Sequence, residues 1–209
     1  RLTSTVNHLL SYILENKKGD MSHLQKVIVL DTNKTLLFDN HTKRNLELIE
    51  TLRLKERTYS LLWLLDKTKT AMGGRLLKYN IENPLTDKKE IEKRYEIIDT
   101  LLTSFILKND LITLLDEVYD LERLSSRISY GNVNARDLLQ IKRSLKVLPE
   151  IKNILSEINF YETIDTFDEL YDLLEKSIVE DPPISIKEGG IIKNGYNGEL
   201  DELRSISTG

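Results

Sequence analysis

The sequence predicts a mainly α-helical protein built as one compact multi-helix core domain. Leucine and isoleucine recur every three or four residues through most of the stretch from residue 42 to residue 178, which is the period of an amphipathic helix. The connections between these runs are short and carry capping residues, Gly or Pro. Strand-like sequence is confined to residues 26–39, where two β-branched and apolar runs flank DTNK and predict a short β-hairpin near the N-terminus.

Composition places the chain among folded globular proteins. Its 209 residues suffice for one sizeable domain or two small ones, and 40% of them are hydrophobic while 31% are charged. Thirty basic against thirty-four acidic residues give a net charge of −4, which disfavours tight autonomous DNA binding but leaves a local basic patch open. The absence of cysteine excludes disulfides, thiolate metal sites and a Cys nucleophile, and it fits a reducing cytoplasm.

Both ends of the chain suggest a piece of a longer protein. The chain begins with Arg1 rather than Met, and its last residues, GELDELRSISTG, start an acid-rich helix that runs for only about two turns. No apolar run reaches the ~20 residues that a membrane span requires. We therefore expect a truncated helix at the C-terminus and no membrane partner.

The first half of the chain is predicted to contain four helices. The spacing of apolar residues predicts an amphipathic linker helix over residues 4–16 and a second helix over residues 42–54. Residues 60–68 are apolar nearly all round, so a buried third helix is expected there. Thr70 is expected to cap a fourth helix that ends just before Pro84, because proline disfavours helical backbone in the residue preceding it.

Two adjacent glycines, Gly73 and Gly74, lie inside this fourth helix. Each costs roughly 1 kcal/mol of helix stability relative to Ala. We interpret the pair as a place where a neighbouring helix packs closely. A phosphate-binding loop is the alternative, but no Lys-Ser or Lys-Thr follows at the required spacing.

The second half is predicted to be helical as well. After Thr86, one helix carries an apolar stripe that is expected to face the core: Ile91, Tyr95, Ile98 and Leu102. Residues 106–131 are predicted to form a single long amphipathic helix that ends at Gly131, a favoured residue type for a helix end.

Capping signals mark the remaining helices. Asn134, with Asp137 in the first turn, is predicted to open one helix, and Pro149 suits the first turn of the next. Thr166 and Glu169 have the spacing of a capping box for the last core helix. The Pro- and Gly-rich stretch that follows interrupts the helical pattern.

The sequence predicts no catalytic, cofactor-binding or metal site. His8, His23 and His41 are the only histidines, and none has a partner at a standard metal-ligand spacing. No G-x-S-x-G elbow surrounds a serine. No G-x-x-x-x-G-K-[ST] motif is present, so the chain lacks a nucleotide-binding P-loop.

Two groups of charged residues leave alternatives open. Asp116, Glu117 and Asp120 could serve acid–base chemistry if buried, or form a solvated helix face. Six basic residues could contact the backbone of duplex DNA, but acids are almost as frequent around them, which favours a solvated helix face. The six are Lys55, Arg57, Lys67, Lys69, Arg75 and Lys78.

Four separated blocks of sequence share a distinctive order and spacing: TKRNLELIETL, SLLWLLDKTKTAMGGRLLKYNIENPL, YDLERLSSRISYGNVNARDLLQIKRSL and EGGIIKNGYNGELDELR. Their most specific parts are Asn45-Leu46-Glu47-Leu48, Met72-Gly73 followed by Arg75-Leu76-Leu77, and Asp120-Leu121-Glu122-Arg123. Together the blocks resemble the core domain of the bacterial MutS family, whose members recognise DNA mismatches. The resemblance covers about residues 26–204.

The resemblance implies a domain organisation and a role. Residues 1–25 would be a linker helix from a preceding connector domain, residues 26–196 the helical core, and residues 197–209 the start of the first lever helix. The core would couple mismatch binding and a DNA clamp to a C-terminal ATPase absent from this chain. The parent would use ATP and Mg²⁺, contact mismatched DNA through other domains, form a homodimer, signal to a downstream repair protein and act at the nucleoid in the cytoplasm.

Two tripeptides match the Phe-x-Glu motif with which the family reads a mismatch: 160–162 and 167–169. An inserted aromatic wedge is a known way of unstacking bases. In the family, however, this motif belongs to an N-terminal domain that precedes everything seen here, and neither tripeptide has the flanking Gly-Asp. We interpret both as chance matches.

Overall fold

The computed structural model describes residues 2–16, 34–160 and 164–208, and most of these are helical. The chain divides into two compact units, residues 1–32 and residues 33–209, which are described separately. The predicted hairpin at 26–39 lies largely outside the described residues. In its described part, Thr35 forms an isolated antiparallel bridge with Leu85, and the described ranges contain no sheet.

The first unit contributes one described element, α1 (Leu2–Asn16), which confirms the helix predicted for residues 4–16. The Asn16 side-chain amide donates a hydrogen bond to the carbonyl of Tyr12 at 2.8 Å and so satisfies one carbonyl of the last turn.

Among the described residues, the second unit contains the other α-helices and a 3₁₀ turn at Ile186–Glu188. The α-helices are α2 (Asn40–Asn45), α3 (Leu61–Leu65), α4 (Ala71–Glu82), α5 (Lys88–Thr103), α6 (Phe105–Asp116), α7 (Leu121–Ser129), α8 (Ala135–Glu157), α9 (Asp168–Ser177) and α10 (Gly198–Thr208).

The longest helix, α8, lies at the centre of this unit and packs against α6, α7 and α9. Its start confirms the predicted cap: the Asn134 side chain accepts from the Asp137 amide at 2.8 Å, and Asp137 accepts from the Asn134 amide at 3.1 Å. The main core cluster joins α7, α8 and α9 through Leu124, Leu139, Ile141, Leu145, Leu174 and Ile178.

The helix expected to begin at Pro149 is not separate, because α8 continues through this residue to Glu157. A proline inside a helix removes one backbone hydrogen bond and is costly. Ile151 and Ile154, just beyond it, are both buried. The apolar side chains past the proline are thus part of the core, and their burial offsets the local penalty.

The helix predicted over residues 42–54 stops at Asn45, because backbone pairing replaces it. Glu47 has a left-handed φ of 48°, which ends the helix. The carbonyls of Glu47 and Leu48 accept the amides of Leu61 and Leu62 at 3.0 and 2.9 Å. Leu48 itself is buried. A tertiary contact thus overrides the helical period.

The prediction that residues 60–68 are buried is wrong for most of the segment. Only Ser60 and Leu62 are buried, whereas Leu64 is 61% exposed and Trp63 is exposed as well. The Trp63 ring contacts the exposed ring of Tyr59, with 5.3 Å between the ring centroids. The short α3 presents one residue to the core, and the apolar residues around it lie at the surface of this chain.

The stripe on α5 also differs from its prediction. The segment is helical, but Tyr95 and Leu102 are each 64% exposed and Ile98 is half-exposed. The face that they form, together with Phe105 and Ile106 at the start of α6, is exposed apolar surface in this chain.

Two further boundaries need correction. The single helix predicted for 106–131 is broken into α6 and α7 by a connection at 117–120. The predicted capping box at Thr166 is wrong: Phe167 occupies the N-cap with a left-handed φ of 52° and no side-chain cap. The Thr166 hydroxyl instead donates to Asp168 at 2.9 Å.

The C-terminal helix α10 begins where predicted and is attached to the end of α9. Ile178 and Ile192 form an isolated antiparallel bridge, and Val179 donates its amide to the carbonyl of Ile191 at 3.0 Å. Arg204 of α10 donates to the carbonyl of Ile192 at 3.0 Å. The first two turns of α10 are therefore tied to the body of the second unit.

The fourth predicted helix is confirmed as α4, with Thr70 as N-cap and Asn83 as C-cap. Its glycines do pack closely, but against the preceding loop rather than against another helix. A Cβ on Gly73 would lie 3.0 Å from the Thr70 hydroxyl oxygen, and one on Gly74 would lie 3.3 Å from the Thr68 hydroxyl oxygen. Both hydroxyls are hydrogen-bonded, Thr70 as the cap and Thr68 to Asp66 at 2.6 Å.

We predict that Gly73→Ala lowers the stability of the chain. Alanine should gain roughly 0.5–1 kcal/mol of helix propensity. Its methyl would crowd the capping hydroxyl of Thr70 and the Cβ of Thr68, and such overpacking costs about 1–3 kcal/mol, so the steric cost should exceed the gain. Urea titration gives the unfolding midpoint. Gly198→Ala is the matched control, since nothing lies within 4 Å of a Cβ there. A Gly73→Ala chain more stable than the parent would contradict the packing account.

Candidate functional site

An ion-pair cluster joins the two groups of charged residues that the sequence analysis considered separately. It centres on Arg75, in the first half of α4, and on Asp120 and Glu122 at the start of α7. We call these three residues the arginine clamp. Asp120 is the N-cap of α7 and accepts the Arg123 amide at 3.3 Å, so its carboxylate position is set by the helix that it begins.

The guanidinium of Arg75 contacts both carboxylates. Its Nη1 and Nη2 donate to the two oxygens of Asp120 at 2.9 and 2.7 Å, which is bidentate geometry. Its Nε and Nη2 donate to Oε2 of Glu122 at 2.9 and 2.5 Å. Four hydrogen bonds thus hold Asp120 and Glu122 to α4, although these residues follow Arg75 by 45 and 47 positions in sequence.

The electrostatics of the clamp favour fully charged side chains. Hydrogen bonds from Arg75 hold the pKa of Asp120 below its usual value, and the bonds from Asp120 and Glu122 raise the pKa of Arg75 further above its already high value. A general acid needs a carboxyl pKa raised towards neutrality, so the lowered pKa of Asp120 disfavours a role as general acid.

Neighbouring acidic and basic side chains also form ion pairs. Lys69 lies 3.4 Å from Asp116, and Arg57 forms an ion pair with Asp66. Glu117, the remaining candidate acid, is the exposed C-cap of α6.

A cleft of about 800 Å³ lies beside the clamp, at the start of α4. Six basic side chains line it with only two acids, Glu50 and Asp66. Four of the six are paired with acids: Arg57, Lys69 and Arg75 as described above, and Arg123, whose Nε lies 3.4 Å from Asp120. The bases are Lys55, Arg57, Lys69, Arg75, Lys78 and Arg123. Lys67 lies outside this cleft, in a smaller hollow beside Trp63.

A second polar junction holds the C-terminal segment to α8 and α9. Glu175 of α9 accepts Lys142 of α8 at 2.8 Å and lies 3.5 Å from Lys193, whose ammonium also donates to the Glu175 carbonyl at 2.6 Å. Lys142 is the main cause of a lowered pKa at Glu175. Lys193 is close in sequence to the start of α10, so this junction fixes the position from which α10 leaves.

The other sequence candidates are not assembled into a site. His23 and residues 161–163, including Tyr161 and Glu162, lie outside the described residues. Within the described ranges, no three His, Cys, Asp or Glu side chains are grouped as metal ligands. None of the described helices combines the length and apolar character needed to cross a membrane. The chance-match interpretation of the Phe-x-Glu tripeptides stays a prediction.

Comparison with known families is decisive for the second unit. The family model described as MutS domain III matches residues 41–207. The chain belongs to the MutS domain III family. The arginine clamp and the second polar junction both lie inside the region that this MutS model matches.

Curated relatives agree with the family match. The chain is 52% identical to the DNA mismatch repair protein MutS of Bacillus cytotoxicus over 99% of its own length. It is 50% identical to proteins of the same name from Bacillus cereus and Bacillus thuringiensis, again over 99% of its length. It spans 24% of the length of each of these MutS relatives.

Sequence reasoning found the members of the clamp but not their pairing. Arg75, Asp120 and Glu122 all occur in the blocks that carry the MutS resemblance. The only feature of the sequence that hinted at their pairing was the order of these blocks, in which one containing a basic residue precedes one containing two acids. Ser144, which contacts the connection before α7, gave no signal because a single serine on a helix has no distinctive pattern.

We predict a pH-dependent stability contribution from Asp120. Its pKa is lowered in the folded state, so the contribution is complete above the unfolded pKa of about 3.9 and is lost as the pH falls through the folded value. Asp120→Asn keeps the helix cap but removes the charge. The urea midpoints of parent and variant should differ most at neutral pH and converge below about pH 4. A difference that stays constant with pH would contradict this assignment.

Proposed function

We propose that this chain is the structural core through which a MutS protein couples its DNA-binding parts to its ATPase. The observation that carries the proposal is the arginine clamp, which fixes α4 to the start of α7 across 45 residues of sequence. The second polar junction does the same for the base of α10. Charged contacts therefore tie α4 and the base of α10 to one helical body centred on α8.

This arrangement suits a mechanical role. Closely packed helices resist gradual deformation and move as units between discrete arrangements. In this proposal, α10 is the start of a lever, and force on it reaches α8 and α9 through Arg204, Lys193 and Glu175. The clamp then carries the displacement to α4. The chemistry supplied by this chain is positional, with no bond made or broken.

Further partners follow from the named relatives and are proposals for the full-length protein. Those relatives are DNA mismatch repair proteins. We propose that the full-length protein recognises mismatched duplex DNA through its other domains, forms a homodimer and signals to a downstream repair protein at the cytoplasmic nucleoid. We also propose that it hydrolyses ATP with Mg²⁺ in a separate domain, because the present sequence has no P-loop.

The coupling role predicts a selective defect when the clamp is weakened. In the full-length protein, Arg75→Lys keeps the charge but loses the bidentate fork. We expect affinity for mismatched DNA to be retained while the stimulation of ATP hydrolysis by that DNA falls about fivefold or more, the lower range of measured site-to-site couplings. The measurements are mismatch binding by fluorescence anisotropy and steady-state ATPase rates with and without mismatched duplex.

The control for this experiment is Lys88→Gln, which removes an exposed ion pair with Glu92 within α5. Such pairs contribute little, so both binding and stimulation should stay at parent values. Unchanged stimulation in Arg75→Lys, or equal losses in the two variants, would contradict a coupling role for the clamp.

A second candidate function is direct contact with the backbone of duplex DNA. It is supported by Lys55 and Lys78, which line the cleft and form no ion pair among the described residues. It is weakened by the acids that already pair with Arg57, Lys69 and Arg75, because paired cations contribute less field to a phosphate.

We predict for this candidate that replacing both Lys55 and Lys78 by Gln weakens duplex binding by the chain and lowers the slope of log affinity against log salt by about two. The variant Lys88→Gln with Lys89→Gln removes the same charge from α5 and serves as control. Equal affinities and slopes for the two double variants would rule out a specific contact at the cleft.

A further inference from the structure

Ser144 is a fully buried polar residue, with 0% exposure, in the middle of α8. Its hydroxyl donates to the carbonyl of Gln140 at 2.9 Å, one turn back on the same helix. The same oxygen accepts the backbone amide of Tyr119 at 2.9 Å. One hydroxyl thus bridges the core helix and the connection between α6 and α7.

The Tyr119 backbone is fixed on its other side as well. Its carbonyl accepts the amide of Leu121 at 2.8 Å, across Asp120. Asp120 has φ −73° and ψ 77°, close to an inverse γ-turn. The tyrosine side chain packs against the core cluster. Tyr119, the residue before Asp120, is therefore held by the core. The turn at Asp120 sets the direction in which the Asp120 side chain points.

We propose that Ser144 is the positioning residue of the arginine clamp. By accepting a hydrogen bond from the Tyr119 amide, it fixes the position of the 117–120 connection. Both oxygens of Asp120 then face the guanidinium of Arg75. Its effect on DNA-stimulated hydrolysis rests on the proposed coupling function, whereas its effect on clamp geometry does not.

A plain structural role is the competing explanation, since any buried serine that bonds its own helix adds stability. Ser177 provides the comparison. It is also buried, and its hydroxyl donates to the carbonyl of Leu173 at 2.7 Å. Within the described ranges its hydroxyl accepts no hydrogen bond from another element. Ser177→Ala therefore removes the same intrahelical bond as Ser144→Ala without releasing a second segment.

The test is a double-mutant cycle between Arg75→Gln and Asp120→Asn, measured from unfolding equilibria of the 209-residue chain. The cycle is run in three backgrounds: parent, Ser144→Ala and Ser177→Ala. We expect the Arg75–Asp120 coupling factor to fall severalfold towards 1 in the Ser144→Ala background and to keep its parent value in the Ser177→Ala background. Coupling that persists in Ser144→Ala, or that falls equally in both backgrounds, would overturn the proposal.

Ser144→Cys covers the case in which the alanine variant fails to fold, because a thiol has a similar shape but is a weak acceptor. Amide hydrogen exchange then measures the loss of the Tyr119–Ser144 hydrogen bond directly. The Tyr119 amide should exchange at least severalfold faster in Ser144→Cys than in the parent, while the amides of α9 keep their parent rates. Uniform acceleration across α8 and α9, or no acceleration at Tyr119, would overturn the proposal.

These measurements use neither DNA nor ATP, so they separate this proposal from the proposed function. Loss of clamp coupling in Ser144→Ala, together with normal DNA-stimulated hydrolysis in the full-length variant, would contradict the coupling function and support the positioning role. Retained clamp coupling in Ser144→Ala would overturn the positioning role, and a loss of stimulation alongside it would have to arise elsewhere than in the clamp.

Discussion

The packing of α8 is the constraint on which the rest of the second unit depends. Its buried side chains meet those of α7 and α9, and each fully buried Leu or Ile contributes about 2 kcal/mol through removal of apolar surface from water. The polar contacts are arranged around this body rather than inside it. Ser144, Asp137 and Ser177 are exceptions: the first two accept hydrogen bonds from backbone amides, and Ser177 donates one to the carbonyl of Leu173.

Asp137 illustrates how capping and charge pairing are combined in this protein. It closes the capping box of α8 and also accepts Arg127 of α7 at 2.6 Å. Asp120 has the same double role at the start of α7, as N-cap and as the partner of Arg75. In both cases one carboxylate starts a helix and attaches it to a neighbouring helix, so the helix boundary and the tertiary contact depend on the same side chain.

The features that could be predicted from sequence are those decided within a few residues. The caps at Thr70 and Asn134 and the stop before Pro84 were correct because their partners lie within one helical turn. The helix expected at 42–54 was wrong because the carbonyls of Glu47 and Leu48 pair with a segment that begins more than ten residues later. The arginine clamp could not be predicted for the same reason, since no local pattern links Arg75 to Asp120.

The clamp also has a consequence for how this region tolerates changes in length. By tying α4 to α7 it closes a loop that contains α5 and α6, with the bonded side chains 45 positions apart in sequence. The entropy of closing a loop rises slowly, and each doubling of its length costs only about 0.6 kcal/mol. Residues added at the turn between α5 and α6 would therefore place little strain on the clamp, whereas a residue added between Tyr119 and Glu122 would shift the carboxylates out of register with the guanidinium. Across the family, insertions should accumulate at the first position and be excluded from the second.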